Sequence, residues 1–226
     1  MYTACIFDLD GTLTDTLESL AYSVNETMKA VGMPLITEEQ CRQFVGNGAK
    51  VLIEKALLAG GDEDLSRFEE AFAAYGRIFD ENCTYRVKPY PGIVRMLEEM
   101  KRRGIRLGVL SNKPDRQAVH VVREVFGEGL FDEVQGQREG VPRKPDPAAL
   151  FSMAETFGAD RKDVLYIGDS EVDAATGKAA GMNTVLVSWG FRTRGELEAA
   201  KPDRIVDSAE EILAIAEGDQ KQRSEA

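Results

Sequence analysis

The chain has 226 residues, 43% of them hydrophobic and 30% charged, which suits a soluble globular protein made of one large domain, or of a core domain carrying a smaller insertion. A formal net charge of −11 argues against a nucleic-acid-binding surface, and no apolar run is long enough to span a bilayer. Cys5, Cys41 and Cys83 are odd in number, widely spaced and outside any CxxC pattern, so neither a disulfide framework nor a zinc site is expected.

The apolar run Ala4-Cys5-Ile6-Phe7 reads as a buried strand, reached without a basic n-region or a cleavable apolar segment, and a cytoplasmic location is the expectation. The chain then turns helical. Leu17, Leu20, Ala21, Val24, Met28 and Val31 recur at helical spacing, Thr37 to Gln40 reads as a capping box, Gly46-Asn47-Gly48 breaks the pattern, and Val51 to Leu57 restarts it. Phe68, Phe72, Tyr75 and Phe79 form a further stripe, and these stripes read as the core of a small helical bundle.

From Pro89-Tyr90-Pro91-Gly92 onward, helix and strand alternate. Helices are predicted over Ile93–Arg103, Arg116–Phe126, from Pro147, over Asp173–Ala180, and from the capping-box sequence Ser208-Ala209-Glu210-Glu211. Strands are predicted over Ile105–Leu110, Phe131–Gln135, Val164–Ile167, Thr184–Ser188 and Arg204–Val206. This rhythm predicts an α/β fold: a Rossmann-like open parallel sheet with helices on both faces, plus an inserted α-helical cap domain. The expected division is a core of 1–15 and 84–226, a cap of 16–83, and a frayed polar tail over 217–226.

Polar clusters follow the strands, where open α/β sheets bind their ligands. Asp8 and Asp10 come first, one residue apart after a buried strand, so their like charges call for a divalent cation with oxygen ligands, and Gly11 lets the backbone turn. Ser111-Asn112-Lys113 follows the strand ending at Leu110 and offers a hydroxyl and backbone N–H groups to a phosphate. Lys144-Pro145-Asp146-Pro147 places a cation where charge develops on a transferring phosphoryl group. Gly168-Asp169-Ser170-Glu171-Val172-Asp173 closes the set, with two carboxylates four residues apart. Glu171 reads as a partner of the helix dipole, and the only histidine, His120, as a structural or surface residue.

An acid pair, a hydroxyl, a lysine and a second acid pair, in that order and each beside a strand end, resemble the motifs of the haloacid dehalogenase superfamily of phosphohydrolases. The likeness covers nearly the whole chain, and the helical insertion resembles the cap of one large subgroup. The resemblance implies Asp8 as the nucleophile that forms an aspartyl-phosphate and Asp10 as general acid and base. It implies Thr12 and Ser111 as phosphate-binding hydroxyls, Asn112 as a contributor through its backbone amide, and Lys144 as the cation that steadies the nucleophile and the phosphoryl oxygens. It implies Mg²⁺ held by Asp8, the Asp10 carbonyl and Asp169, with Asp173 as an outer or second ligand. Relatives that cleave carbon–halogen bonds or phosphonates lack an acid at the Asp10 position, and sugar-phosphate mutases tend to have Val in place of Thr12. Hydrolysis of a small phosphorylated metabolite is therefore expected.

Gly46, Asn47 and Gly48, together with Ser111-Asn112-Lys113-Pro114, resemble the phosphoglycolate phosphatase subgroup. Their backbone N–H groups would receive a small carboxylate, while Lys50 and Arg42 read as surface charges. A pyrophosphatase or a sugar or nucleotide phosphatase on the same scaffold is the alternative, and a β-phosphoglucomutase-like isomerase comes after it. Thr14–Thr16 and Thr84–Lys88 would be the hinges of a moving cap. No membrane or nucleic-acid partner is expected, and the sequence does not distinguish a monomer from a homodimer.

Overall fold

The computed structural model describes residues 1–218. The chain opens with β1 (Ala4–Phe7), a short β2 (Thr14–Asp15), and four helices, α1 (Leu17–Ala30), α2 (Glu38–Phe44), α3 (Gly48–Ala59) and α4 (Phe68–Asn82). Then come β3 (Lys88–Pro89), α5 (Ile93–Arg102), β4 (Arg106–Pro114), α6 (Asp115–Phe126), β5 (Glu133–Gln137) and α7 (Ala148–Thr156). The chain continues with β6 (Val164–Gly168), α8 (Glu171–Ala180), β7 (Asn183–Val187), α9 (Arg194–Ala200), β8 (Arg204–Val206) and α10 (Ala209–Ala216).

Among the described residues, six strands form one sheet in the order β5-β4-β1-β6-β7-β8, all neighbours parallel. Counting only these strands along the chain, the order is 3-2-1-4-5-6, the doubly wound arrangement. Its switch point lies at β1, which pairs with β4 on one side and β6 on the other. Alternate residues of β1 serve opposite faces. Cys5 and Phe7 join the apolar cluster that contains Leu97 of α5 and Ile212 of α10, whereas Ala4 and Ile6 join the one built on Leu150 and Met153 of α7. Both faces are therefore covered, and all four residues of β1 are buried.

The helices α1 to α4 pack on one another, and their apolar stripes share the larger core cluster with the sheet. Thr37 does form a complete capping box with Gln40. The two connections to these helices are not separate strands of loop. β2 and β3 pair antiparallel, Thr14 with Pro89 and Asp15 with Lys88, so both crossings run through one short ribbon.

Four sequence expectations are corrected. Ser111-Asn112-Lys113 is not a turn after a strand: β4 runs on through Pro114, which pairs with Gln137 of β5 after a register shift between Leu110 and Pro114. α9 was not expected, although Thr193 and Glu196 form a full capping box at its start. Ser208 caps α10, but the Glu211 side chain accepts from the N–H of Asp207 instead of closing the box on Ser208. Glu217 and Gly218 are tied down, Glu217 by an ion pair with Arg103 and Gly218 by a bond to the Ile215 carbonyl, while 219–226 lie outside the described residues. The remaining predicted boundaries agree with the structure to within about two residues, the ordinary scatter of element ends.

Candidate active site

The chain leaves β1 into a tight loop whose hub is the Leu9 carbonyl, which accepts from the N–H groups of Leu13 and Thr14 and from the Thr14 hydroxyl. Gly11 closes the loop at φ +87°, and a Cβ there would collide with Asp169 Oδ2 at the end of β6. The first acidic segment and the last are thus pressed together at the switch point, with Asp8 just past the end of β1 and Asp169 just past the end of its neighbour β6.

Asp8, Asp10, Ser111, Asn112, Lys144, Asp169 and Asp173 all line one cavity of about 50 Å³, beneath a wall from the helices that includes Gly46, Gly48, Leu52 and Phe79. Thr12 and Asn47 are not on this lining. The Thr12 hydroxyl is buried without a hydrogen-bond partner, an arrangement that costs about 1–3 kcal/mol unless something else fills it. Asn47 faces a neighbouring groove beside Arg42 and Lys55, and its carbonyl accepts from Arg143.

Lys144 is the centre of the charge network. Its Nζ donates to Asp8 Oδ1 at 2.6 Å and to Asp173 Oδ1 at 2.8 Å, and all three side chains are less than a tenth exposed. Asp173 is fully engaged: Oδ1 also accepts from the Tyr166 hydroxyl, and Oδ2 from the Ser170 hydroxyl and the Asp169 N–H. Asn112 fixes Lys144 from behind, accepting from its N–H and donating to its carbonyl, and the same side chain donates to the Gly46 carbonyl. The Lys144–Pro145 peptide is cis.

Carboxylate atoms of Asp8, Asp169 and Asp173 lie within 4.8 Å of one another. Burial pushes Asp8 up to about 7 despite the opposing pull of Lys144. Burial, with Asp173 and Asp8 alongside, also raises Asp169 well above the usual carboxylate range. Burial works to raise Asp173 too, but Lys144, Ser170 and Tyr166 outweigh it and hold that carboxyl low. When ionised together, three buried acids against one lysine carry two surplus negative charges, and an all-oxygen donor set suits a hard divalent cation. The residues present therefore fit such an ion.

Sequence reasoning missed three participants. Lys113, buried, donates to both oxygens of Asp10 at 3.0 and 3.2 Å and lies 4.7 Å from the Phe79 ring centroid. Its signal was present, since it stands beside Ser111 and Asn112. Arg192 pairs with Glu171 at 2.7 Å and donates to the Val45 carbonyl, and so ties the core to the loop before α3. Tyr166 looks like an ordinary apolar strand residue, and only the fold reveals its bond to Asp173. Arg42 and Lys50 do not line the cavity: Arg42 reaches Glu39 and the Gly190 carbonyl, and Lys50 lies over the Phe68 ring. His120 is exposed, and all three cysteines are free and buried.

Comparison with known proteins agrees with this geometry. The family model for haloacid dehalogenase-like hydrolases matches residues 5–187. A phosphoglycolate phosphatase of Pasteurella multocida is 34% identical over 220 residues, covering 93% of this chain and 96% of the relative. Phosphoglycolate phosphatase 1 of Pseudomonas aeruginosa is 31% identical over 214 residues, covering 94% of this chain and 79% of the relative. Among solved structures, a predicted phosphoglycolate phosphatase from Haemophilus somnus superposes with a TM-score of 0.88 at 30% identity, covering 95% of this chain and 97% of that one. The chain belongs to the haloacid dehalogenase-like hydrolases.

Proposed function

We propose that this hydrolase is a Mg²⁺-dependent phosphomonoesterase working through an aspartyl-phosphate, with a small phosphorylated metabolite such as 2-phosphoglycolate as substrate. The observation that carries the reading is the pair Asp8 and Asp10 at the switch point, each on its own buried lysine, in a cavity closed by the helical insertion.

In this reading the Asp8 carboxylate attacks phosphorus, and Lys144 holds that carboxylate in place while offsetting charge on the phosphoryl oxygens. Asp10 gives a proton to the leaving oxygen and later takes one from the water that hydrolyses the acyl phosphate. The hydroxyl of Ser111, on the cavity lining, takes a phosphoryl oxygen, whereas the buried Thr12 hydroxyl lies off that lining and is assigned none. Asp8, the Asp10 carbonyl and Asp169 hold Mg²⁺, whose contribution is to neutralise charge on the phosphoryl group. Because its oxygens already accept from Lys144, Tyr166 and Ser170, Asp173 orients Lys144 and would support a bound ion indirectly.

The cavity's size supports a small substrate. A single water needs roughly 10–15 Å³ on the same measure, so about 50 Å³ takes a few water-sized groups. Residues 16–83 are read as the cap, with the β2–β3 ribbon as its hinge, and the protein as cytoplasmic. No helix among the described residues is long and apolar enough to cross a membrane. The test is phosphate release from 2-phosphoglycolate, pyrophosphate, sugar phosphates, nucleotides and p-nitrophenyl phosphate, with Mg²⁺ and with EDTA. Mg²⁺-dependent preference for 2-phosphoglycolate is expected. Preference for a nucleotide or sugar phosphate would overturn the substrate reading, and release unaffected by EDTA would overturn the metal.

A further inference from the structure

We propose that Lys113 is a specificity residue, its ammonium receiving a carboxylate carried by the leaving group. The inference rests on the phosphomonoesterase reading above and deepens it.

Three cations line the cavity, and they are not equally available. Lys144 is shared between Asp8 and Asp173. Arg192 is occupied by Glu171 and by the Val45 carbonyl. Lys113 is only 1% exposed at its side chain, yet both of its acceptors belong to the single carboxylate of Asp10. An ammonium has three donors, so one N–H of Lys113 is not committed to an oxygen.

Position decides what that N–H meets. Asp10 is the group assigned to the leaving oxygen, and Lys113 Nζ sits 3.0 Å from its carboxylate. An anion one carbon beyond the leaving oxygen therefore arrives beside Lys113. The wall opposite adds no competing cation: Leu20, Val45, Leu52, Tyr75 and Phe79 face the cavity, whereas Arg42 and Lys50 do not line it. The Phe79 ring covers the ammonium at 4.7 Å, shielding it from water and strengthening its hold on an anion. Because Phe79 belongs to α4, the helical insertion seats the very cation that reads the substrate. A neutral leaving group would leave a buried N–H without an acceptor, which disfavours it.

The experiment compares kcat/KM for 2-phosphoglycolate with that for 2-hydroxyethyl phosphate, which replaces the carboxylate by an alcohol. It uses the Mg²⁺-loaded protein and its Lys113→Gln and Lys113→Arg variants. The wild type is expected to prefer the carboxylate on the order of 10- to 100-fold, the range for a charged hydrogen bond. Lys113→Gln should bring the ratio close to one, and Lys113→Arg should restore most of it. If Lys113→Gln slows both esters equally and keeps the ratio, Lys113 only positions Asp10 and the inference is wrong. A wild type that hydrolyses both esters equally overturns the inference alone, whereas one that hydrolyses no phosphomonoester overturns the phosphatase reading as well. Should Lys113→Gln turn over neither ester, calorimetric binding decides: equal affinities support the proposal, and a retained preference for the carboxylate refutes it.

Discussion

Lys144→Met gives the sharpest test of the charge network. Methionine matches the lysine stem, so the change removes charge with little loss of packing. Lys144, Asp8 and Asp173 have side-chain exposures of 4, 9 and 1%, so water does little to screen them. Removing one partner of such a buried pair costs about 3–5 kcal/mol. At about 2–4 °C per kcal/mol for a chain of this size, the metal-free melting temperature at pH 8 should fall by roughly 6–20 °C. The deficit depends on pH in a definite direction. Burial already holds Asp8 at about 7 with Lys144 present, and Lys144 is what keeps Asp173 low. Without it both carboxyls rise, so between the ordinary carboxylate pKa and their raised values the folded variant carries protons that the unfolded chain does not. Its stability must then fall as pH rises through that window and recover on acidification. Calorimetric melts of both proteins in EDTA at pH 8 and pH 5.5 measure this, and the gap should narrow at the lower pH. An equal loss at both pH values would mean that Lys144 contributes shape and not charge.

Asp8→Asn should abolish phosphate release and yet raise the metal-free melting temperature at pH 8, because it removes an acid that burial pushes up to about 7; a lower melting temperature would refute this. Mg²⁺ affinity, followed by calorimetry, should weaken below pH 7 by about tenfold per pH unit for each proton displaced, and a flat profile down to pH 5.5 would overturn the assignment of Asp8 as a ligand. Gly11→Ala forces a side chain into φ +87° and against Asp169 Oδ2, so it should destabilise the fold by more than about 1 kcal/mol and impair turnover, and unaltered kinetics would contradict the packing argument.

Much of the site was legible because its residues stand immediately after buried apolar runs. Asp8 follows Ala4-Cys5-Ile6-Phe7 and Asp169 follows Val164-Leu165-Tyr166-Ile167-Gly168, and a parallel sheet brings such strand ends together wherever the strands are neighbours. The rest was hidden for physical reasons. The ion pair of Arg192 with Glu171 joins α8 to the segment after β7, and nothing local announces a partner 21 residues away. Lys113 was visible as a residue but not as the partner of Asp10, a pairing across 103 residues. The run of β4 through Ser111 to Pro114 escaped detection because the hydrophobic pattern stops at Leu110, and the strand continues through polar residues that serve the cavity. α9 opens on a capping box of the same kind that revealed α2 and, like α2, carries a single buried residue, so its signal was present in Thr193 and Glu196.

The loop before α3 shows how core and insertion jointly build one wall of the cavity. Its three successive carbonyls are each held by a core side chain: Val45 by Arg192, Gly46 by Asn112 and Asn47 by Arg143. In a trans peptide the N–H points opposite to the carbonyl, so pinning these three oxygens on the core also fixes the direction of the following N–H groups. Those belong to Gly46, Asn47 and Gly48, at the start of a helix whose first N–H groups lack intrahelical acceptors. Gly46, Gly48 and Ala49 line the cavity, and the positive end of the α3 dipole therefore borders it. Asn112 links the two halves, since the side chain that holds the Gly46 carbonyl also holds Lys144 in line with Asp8. The lysine beside the proposed nucleophile and the cavity-lining loop before α3 are thus set by one amide, and a shift of the insertion would disturb both together.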